Sequence, residues 1–229
     1  MSQLIDNLNI IESVKTDIKS AIEAKGVDMT GVSFPGYAGK IGEISGGGGW
    51  DQKSFTEGMV KIINLDNSAS FVASSAFQNN TTIQTVNLPY VTSVGSFAFT
   101  DCNVLTQVNL PMCSYIGNYV FYSCSSLIQI SLPMCNFIGD YAFKNCSSLP
   151  QISLPMCSSI GYDAFYRCRL LSIITIGYSG ICSLTSSGTF NGTQITSSIG
   201  SIYVPVSLVD SYKSAENWSY FSTQIFPIE

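Results

Sequence analysis

The chain contains no histidine, which removes the commonest general base and the commonest metal ligand together. His-dependent triads and His-containing zinc sites are excluded. Eight cysteines are the most conspicuous reactive groups. Cys102, Cys124, Cys146 and Cys168 are each 22 residues apart, and so are Cys113, Cys135 and Cys157. Such spacing offers no convergence of four zinc ligands. It also disfavours a disulfide framework, because side chains in register point in parallel and keep their Cβ atoms apart. The expectation is eight free thiols in buried columns, in a protein folded in a reducing compartment. Asp140 and Asp163 are the only carboxylates near one another in the repeat, and they read as a solvated edge rather than a glycosidase pair. Gly46, Gly47, Gly48 and Gly49 have no Lys-Ser/Thr after them and no strand before them, so they are not a phosphate loop. The sequons at Asn80, Asn145, Asn191 and Asn217 arise easily in a chain rich in Asn and Ser.

The period of 22 organises much more than cysteine. Phe77, Phe99, Phe121, Phe143 and Phe165 keep it, as do Val72, Val94, Ile116, Ile138 and Ile160, with Cys182 continuing that second column. Gly95, Gly117, Gly139 and Gly161 follow directly, which predicts either a close approach or a positive φ. Leu-Pro pairs recur at 88, 110, 132 and 154. One coil of this length cannot bury its own apolar face, but stacked coils share a continuous core. The L-x-x-I-x-L segment alternates at its end and predicts a parallel strand ladder at about 4.8 Å per coil. The following Pro stops each strand. The Phe column fills the far end of the core, and Ala76, Ala98, Ala142 and Ala164, with Val120 in the same place, occupy its narrow part.

Composition agrees with a folded display unit. The chain is 45% hydrophobic and 11% charged, with a net charge of −5, so neither disorder nor binding to a phosphate backbone is expected. Its longest apolar runs are a few residues, so no membrane insertion is expected. The start, MSQLIDNLNI, lacks the basic beginning and apolar core of an export leader. No cofactor is implied.

The unit L-x-x-I-x-L-P-x-C-x-x-I-G-x-x-A-F-x-x-C-x-x, as it stands at 127–148, resembles the BspA type of leucine-rich repeat over about 60–206. The resemblance implies a β-rich, right-handed leucine-rich-repeat solenoid with an adhesive or binding role and no enzymatic one. The closing stretch from Ile202 resembles the usual ending of such arrays.

Outside the repeats, residues 2–24 read as a helix with the stripe Leu4, Leu8, Ile11, Ile18 and Ile22, and Gly26 at its C-cap. The four glycines form a joint. The expected organisation is therefore an N-terminal helical anchor or oligomerisation segment (1–45), a glycine linker (46–52), the solenoid (53–206) and a C-terminal cap (207–229) with one helix over 207–219. After Ile176 the register is expected to fail in a degenerate last coil. The run from Ile18 to Thr30, with Tyr37 to Ile44, resembles a segment near the start of tailed-phage virion proteins, and implies attachment to other virion proteins or to itself.

Aromatic columns supply the candidate contact surface. Phe97, Tyr119 and Tyr141 form one column, ended by Asp163. Tyr122, Lys144 and Tyr166 form a second, and Tyr115 and Phe137 a third. Facing outward, they would make a Tyr-rich face suited to sugar rings or protein partners. Met112, Met134 and Met156 are expected to fill the core. The leading functional expectation is a phage virion appendage that meets a host-surface protein or polysaccharide. The alternative is a bacterial cell-surface adhesin of the BspA type. A polysaccharide-degrading enzyme on a β-solenoid would need clustered acids, and only Asp140 and Asp163 are on offer.

Overall fold

In the computed structural model, the described residues are 62–64 and 70–228, except 178, 179 and 198. The predicted N-terminal helix, its stripe, the glycine linker and the phage-like segment lie outside them. The chain divides into units 1–59 and 60–229, and the described residues all belong to the second.

Short strands alternate between two positions of each coil. The first position holds β1 (Ile62–Asn64), β3 (Thr85–Asn87), β5 (Gln107–Asn109), β7 (Gln129–Ser131), β9 (Gln151–Leu154) and β11 (Ile173–Ile176). These are the expected L-x-x-I-x-L strands. With β13 (Ser201–Val204) and β14 (Ile225–Pro227) they form two four-stranded parallel sheets, β1-β3-β5-β7 and β14-β13-β11-β9. The second position holds β2 (Phe71–Val72), β4 (Ser93–Val94), β6 (Tyr115–Ile116), β8 (Phe137–Ile138), β10 (Ser159–Ile160) and β12 (Ser183–Leu184), in one six-stranded parallel sheet. Sequence patterning marked this Val/Ile column as core but not as a strand, because two residues are too few to show alternation.

The third side of the coil is a run of turns with its own ladder. Phe97, Phe99 and Asp101 each donate an N–H to the next coil, at 2.8–2.9 Å, and Tyr119, Phe121 and Ser123 repeat this at 2.7–2.9 Å. Four of these six donors, Phe97, Asp101, Tyr119 and Ser123, have left-handed backbone. Two columns adopt it: Ser75, Phe97, Tyr119, Tyr141 and Asp163, then Asn79, Asp101, Ser123, Asn145 and Arg167, with φ between 50° and 65°. The glycine column is explained by close approach instead. A Cβ on Gly139 would come within 2.6 Å of Gly117 backbone atoms.

The core columns stand as expected. Phe99, Phe121, Phe143 and Phe165 are fully buried, and consecutive rings from Phe77 to Phe190 stack at 5.1–5.8 Å. All eight cysteines are buried and unpaired. They are more than small apolar fillers. The Cys102, Cys124, Cys146 and Cys168 thiols each donate to the carbonyl of the Phe in the preceding coil, at 3.0–3.1 Å. Cys113, Cys135 and Cys157 donate to the carbonyl two residues on. Polar side chains tie the outside together in the same register. Thr92, Ser114 and Ser158 hydroxyls reach carbonyls 22 residues back.

Three expectations are corrected. Beyond Ile176 the stack continues, with lengthened coils: Phe190 stacks on Phe165, and β13 pairs with β11. The extra residues shift the columns, so Leu184, not Cys182, follows Ile160, while the Cys182 thiol donates to Ser183 O at 3.7 Å. A single helix over 207–219 does not form. Instead there is a 3-10 turn at Val206–Leu208, a short helix α1 (Val209–Ser214), extended backbone at Ala215, and a second 3-10 turn at Ser219–Phe221. The break serves packing, because it lets Trp218 and Phe221 close over Phe190. Trp218 Nε1 donates to Cys182 O at 2.7 Å, and Tyr212 Oη accepts from Cys182 N at 2.8 Å. Finally, Met112, Met134 and Met156 lie on the surface rather than in the core.

Candidate functional site: the aromatic edge

The turn side of the solenoid places its outward residues by backbone alternation. Between buried Val120, Phe121 and Cys124, the residues Tyr119, Tyr122 and Ser123 face outward. None of the seven sequence-selected aromatics is buried. Phe97 and Tyr115 are exposed at 39% and 45%; Tyr119, Tyr122, Phe137 and Tyr141 are half-buried against neighbouring rings, and Tyr166 is half-buried against Lys144 and Arg167.

The first column is a continuous ladder. Phe97 stacks on Tyr119 at 4.9 Å, Tyr119 on Tyr141 at 4.7 Å, and Tyr162 closes edge-on at 5.6 Å. Tyr122 tilts against Tyr119 at 5.7 Å, joining the second column to the first. Lys144 Nζ lies 4.8 Å from the Tyr141 ring centre and 4.6 Å from that of Tyr166. Tyr115 and Phe137 stack at 5.0 Å on the six-stranded sheet, as a separate pair. The structure thus unites the first two columns and leaves the third apart.

The electrostatics are mild. Loss of water raises the Asp163 carboxyl above its usual range, and Lys144 opposes the shift. The Tyr141 phenol is raised by lost solvation, then by the nearby Tyr119 and Asp163. Asp140 accepts the Tyr162 N–H at 2.7 Å through Oδ1, and its own N–H goes to Asn118 Oδ1, so this carboxylate is a structural acceptor. Among the described residues no group of three or more Cys, Asp or Glu could hold a metal.

Sequence reasoning missed a second apolar row. Tyr90, Met112, Met134 and Met156 are 41–54% exposed, so the methionines do not fill the core. Each occupies the outer corner of the turn that follows Leu-Pro, closed by the Cys113 N–H donating to Leu110 O and its equivalents. The Leu-Pro turn was the available signal, since a residue at such a corner projects away from the core.

The family described as "BspA type Leucine rich repeat region" matches residues 50–171 and 114–217, in six copies. The chain belongs to the BspA-type leucine-rich-repeat family. A leucine-rich repeat protein from Bacteroides ovatus shares its fold, with 26% identity and a TM-score of 0.57, covering 74% of this chain and 43% of that one. This BspA-type chain therefore spans less than half of that relative. A leucine-rich repeat protein of T. pallidum is 30% identical over 51% of this chain and 60% of its own, with a TM-score of 0.48. A leucine rich cell surface protein of Faecalibacterium prausnitzii is 20% identical over 59% of this chain and 43% of its own, with a TM-score of 0.43. No curated protein matches this BspA-type sequence.

Proposed function

We propose that this protein is a non-enzymatic adhesion module of the bacterial cell-surface type, which contacts a host-surface protein or polysaccharide through the ladder Phe97-Tyr119-Tyr141 and its neighbours Tyr122 and Tyr166. One observation carries this reading. The ladder occupies a column whose backbone is left-handed, where short polar residues or glycine are favoured and bulky side chains cost energy. The parallel left-handed column has Asn79, Asp101, Ser123 and Asn145, as backbone preference dictates, and departs from it at its last member, Arg167. The first column begins with Ser75 and ends with Asp163, but places three aromatics between them. Strain retained at a surface position points to use of the side chain. Membership of a repeat family built for display supports the same role.

The virion reading rests on residues outside those described, and no relative supports it, so the surface adhesin is preferred. Unpaired cysteines are compatible with an oxidising exterior. Burial raises the Cys113 thiol to about 11, and thiol exchange requires an accessible thiolate. The test is retention of the labelled full chain on a glycan array with immobilised mucin and collagen, compared with a Tyr119→Asn, Tyr141→Asn variant. Wild-type binding lost in the variant supports the proposal. Equal retention, or none on any probe, overturns it.

A further inference from the structure

After residue 70 the chain has only four cationic side chains, Lys144, Arg167, Arg169 and Lys213. Two of them line one groove of about 360 Å3 beside the aromatic edge. The groove is built from two columns running along the solenoid. Ser123 and Asn145 lead to Arg167, and Ser125 and Ser147 lead to Arg169. Its lining is hydroxyl, amide and guanidinium, with no apolar side chain.

Arg167 is held in an unusual place. It has φ 59°, in the left-handed column that elsewhere uses Asn, Asp or Ser. Its guanidinium lies 5.2 Å from the Tyr166 ring centre. Gly192 gives its stem room, since a Cβ there would come 3.3 Å from Arg167 Cγ. Neither arginine forms an ion pair among the described residues. Two unpaired forks at the end of a hydroxyl- and amide-lined groove match a ligand that is rich in hydroxyls and carries carboxylates.

From this geometry we infer that the groove binds an acidic oligosaccharide, its uronate-type carboxylates held by Arg167 and Arg169 and its hydroxyls by the Ser and Asn columns. A pyranose ring is about as long as one coil step. From Asn103 to Arg169 the groove spans three steps, roughly 14 Å, enough for a few sugar units. The inference rests on the adhesive role proposed above and names the ligand class for its charged end.

The test is calorimetric titration of the full chain with oligogalacturonate, with its neutral galactose counterpart, and with a polyglutamate peptide. The acidic sugar should bind about tenfold or more tighter than the neutral one. An Arg167→Asn, Arg169→Gln variant should erase that preference, and Asn suits the left-handed backbone, so the fold is retained. Equal affinity for both sugars, tighter binding of polyglutamate, or an unchanged variant would each overturn the inference. The Tyr119→Asn, Tyr141→Asn variant separates the two proposals. Array retention lost on tyrosine replacement, with no acid preference in titration, sinks the groove alone. Acid preference without any tyrosine-dependent retention sinks the ladder reading.

Discussion

Replacing Gly139 with alanine tests the close packing of coils directly. An added Cβ would lie 2.6 Å from the Gly117 carbonyl carbon and oxygen and 2.6 Å from Asn118 Oδ1. Ordinary contact begins near 3.4 Å, so the coils must part locally by 3.4 − 2.6, or 0.8 Å. The Gly139 N–H to Ile116 O bond, at 2.8 Å, and the Asp140 N–H to Asn118 Oδ1 bond, at 2.9 Å, both cross this gap. Stretching either by that amount passes the limit of a hydrogen bond. Overpacking costs about 1–3 kcal/mol, and a weakened bond adds about 1 kcal/mol. Reduced freedom of the unfolded chain returns about 0.4–1 kcal/mol, since Gly139 has no left-handed backbone to strain. The net loss is about 2–3 kcal/mol, or roughly 5–10 °C in Tm for a chain of this size. Gly188→Ala is the control. Its Cβ would meet side-chain ends alone, Asp163 and Ser186 at 3.2 Å and Asn191 at 3.5 Å, so its change should stay within about 0.5 kcal/mol. Urea unfolding followed by circular dichroism measures both. A Gly139→Ala protein as stable as wild type would refute the close-approach account.

All eight thiols should react in denaturant, whereas the native chain at neutral pH should react with almost none; brisk native labelling would contradict their burial. The buried thiols also set an alkaline limit. Cys113 rises from 9.0 to about 11 through burial, and Cys124, Cys135, Cys146 and Cys168 are raised by the same cause. A raised folded-state value means the unfolded chain loses its protons first. Stability is therefore full below pH 9 and falls above it, by up to about 1.4 kcal/mol per pH unit for each thiol; a flat unfolding midpoint from pH 9 to 11 would refute this. Tyr119→Asn should leave Tm within a few degrees of wild type, because relief of left-handed strain offsets lost stacking of about 0.5–1.5 kcal/mol per ring pair. A collapse of Tm would mean that the ladder serves the fold rather than contact.

The repeat was legible in the sequence because stacking forces one chemical solution on every coil. Phe121, Cys124 and Leu132 recur in place, and each is buried. Elements with no internal repetition were less legible. The two-residue strands such as Tyr115–Ile116 are too short to carry a period, and the break at Ala215 is imposed by the need to bring Trp218 over Phe190. Cys182 was assigned to the wrong column because counting by 22 cannot register a lengthened coil. At the site, the outward aromatics were visible as variation inside an otherwise regular repeat. Their left-handed backbone was not, since sequence suggested Gly for such a position and the structure put Tyr there. The exposed Met row was misread because methionine is usually a core filler.

A contact role is what we propose for the aromatic ladder. It is tested most directly by array retention of the full chain set beside its Tyr119→Asn, Tyr141→Asn variant, with both Tm values measured in the same preparation. A contact role predicts that retention is lost while Tm stays within a few degrees. Retention unchanged, or lost only together with the fold, would contradict it.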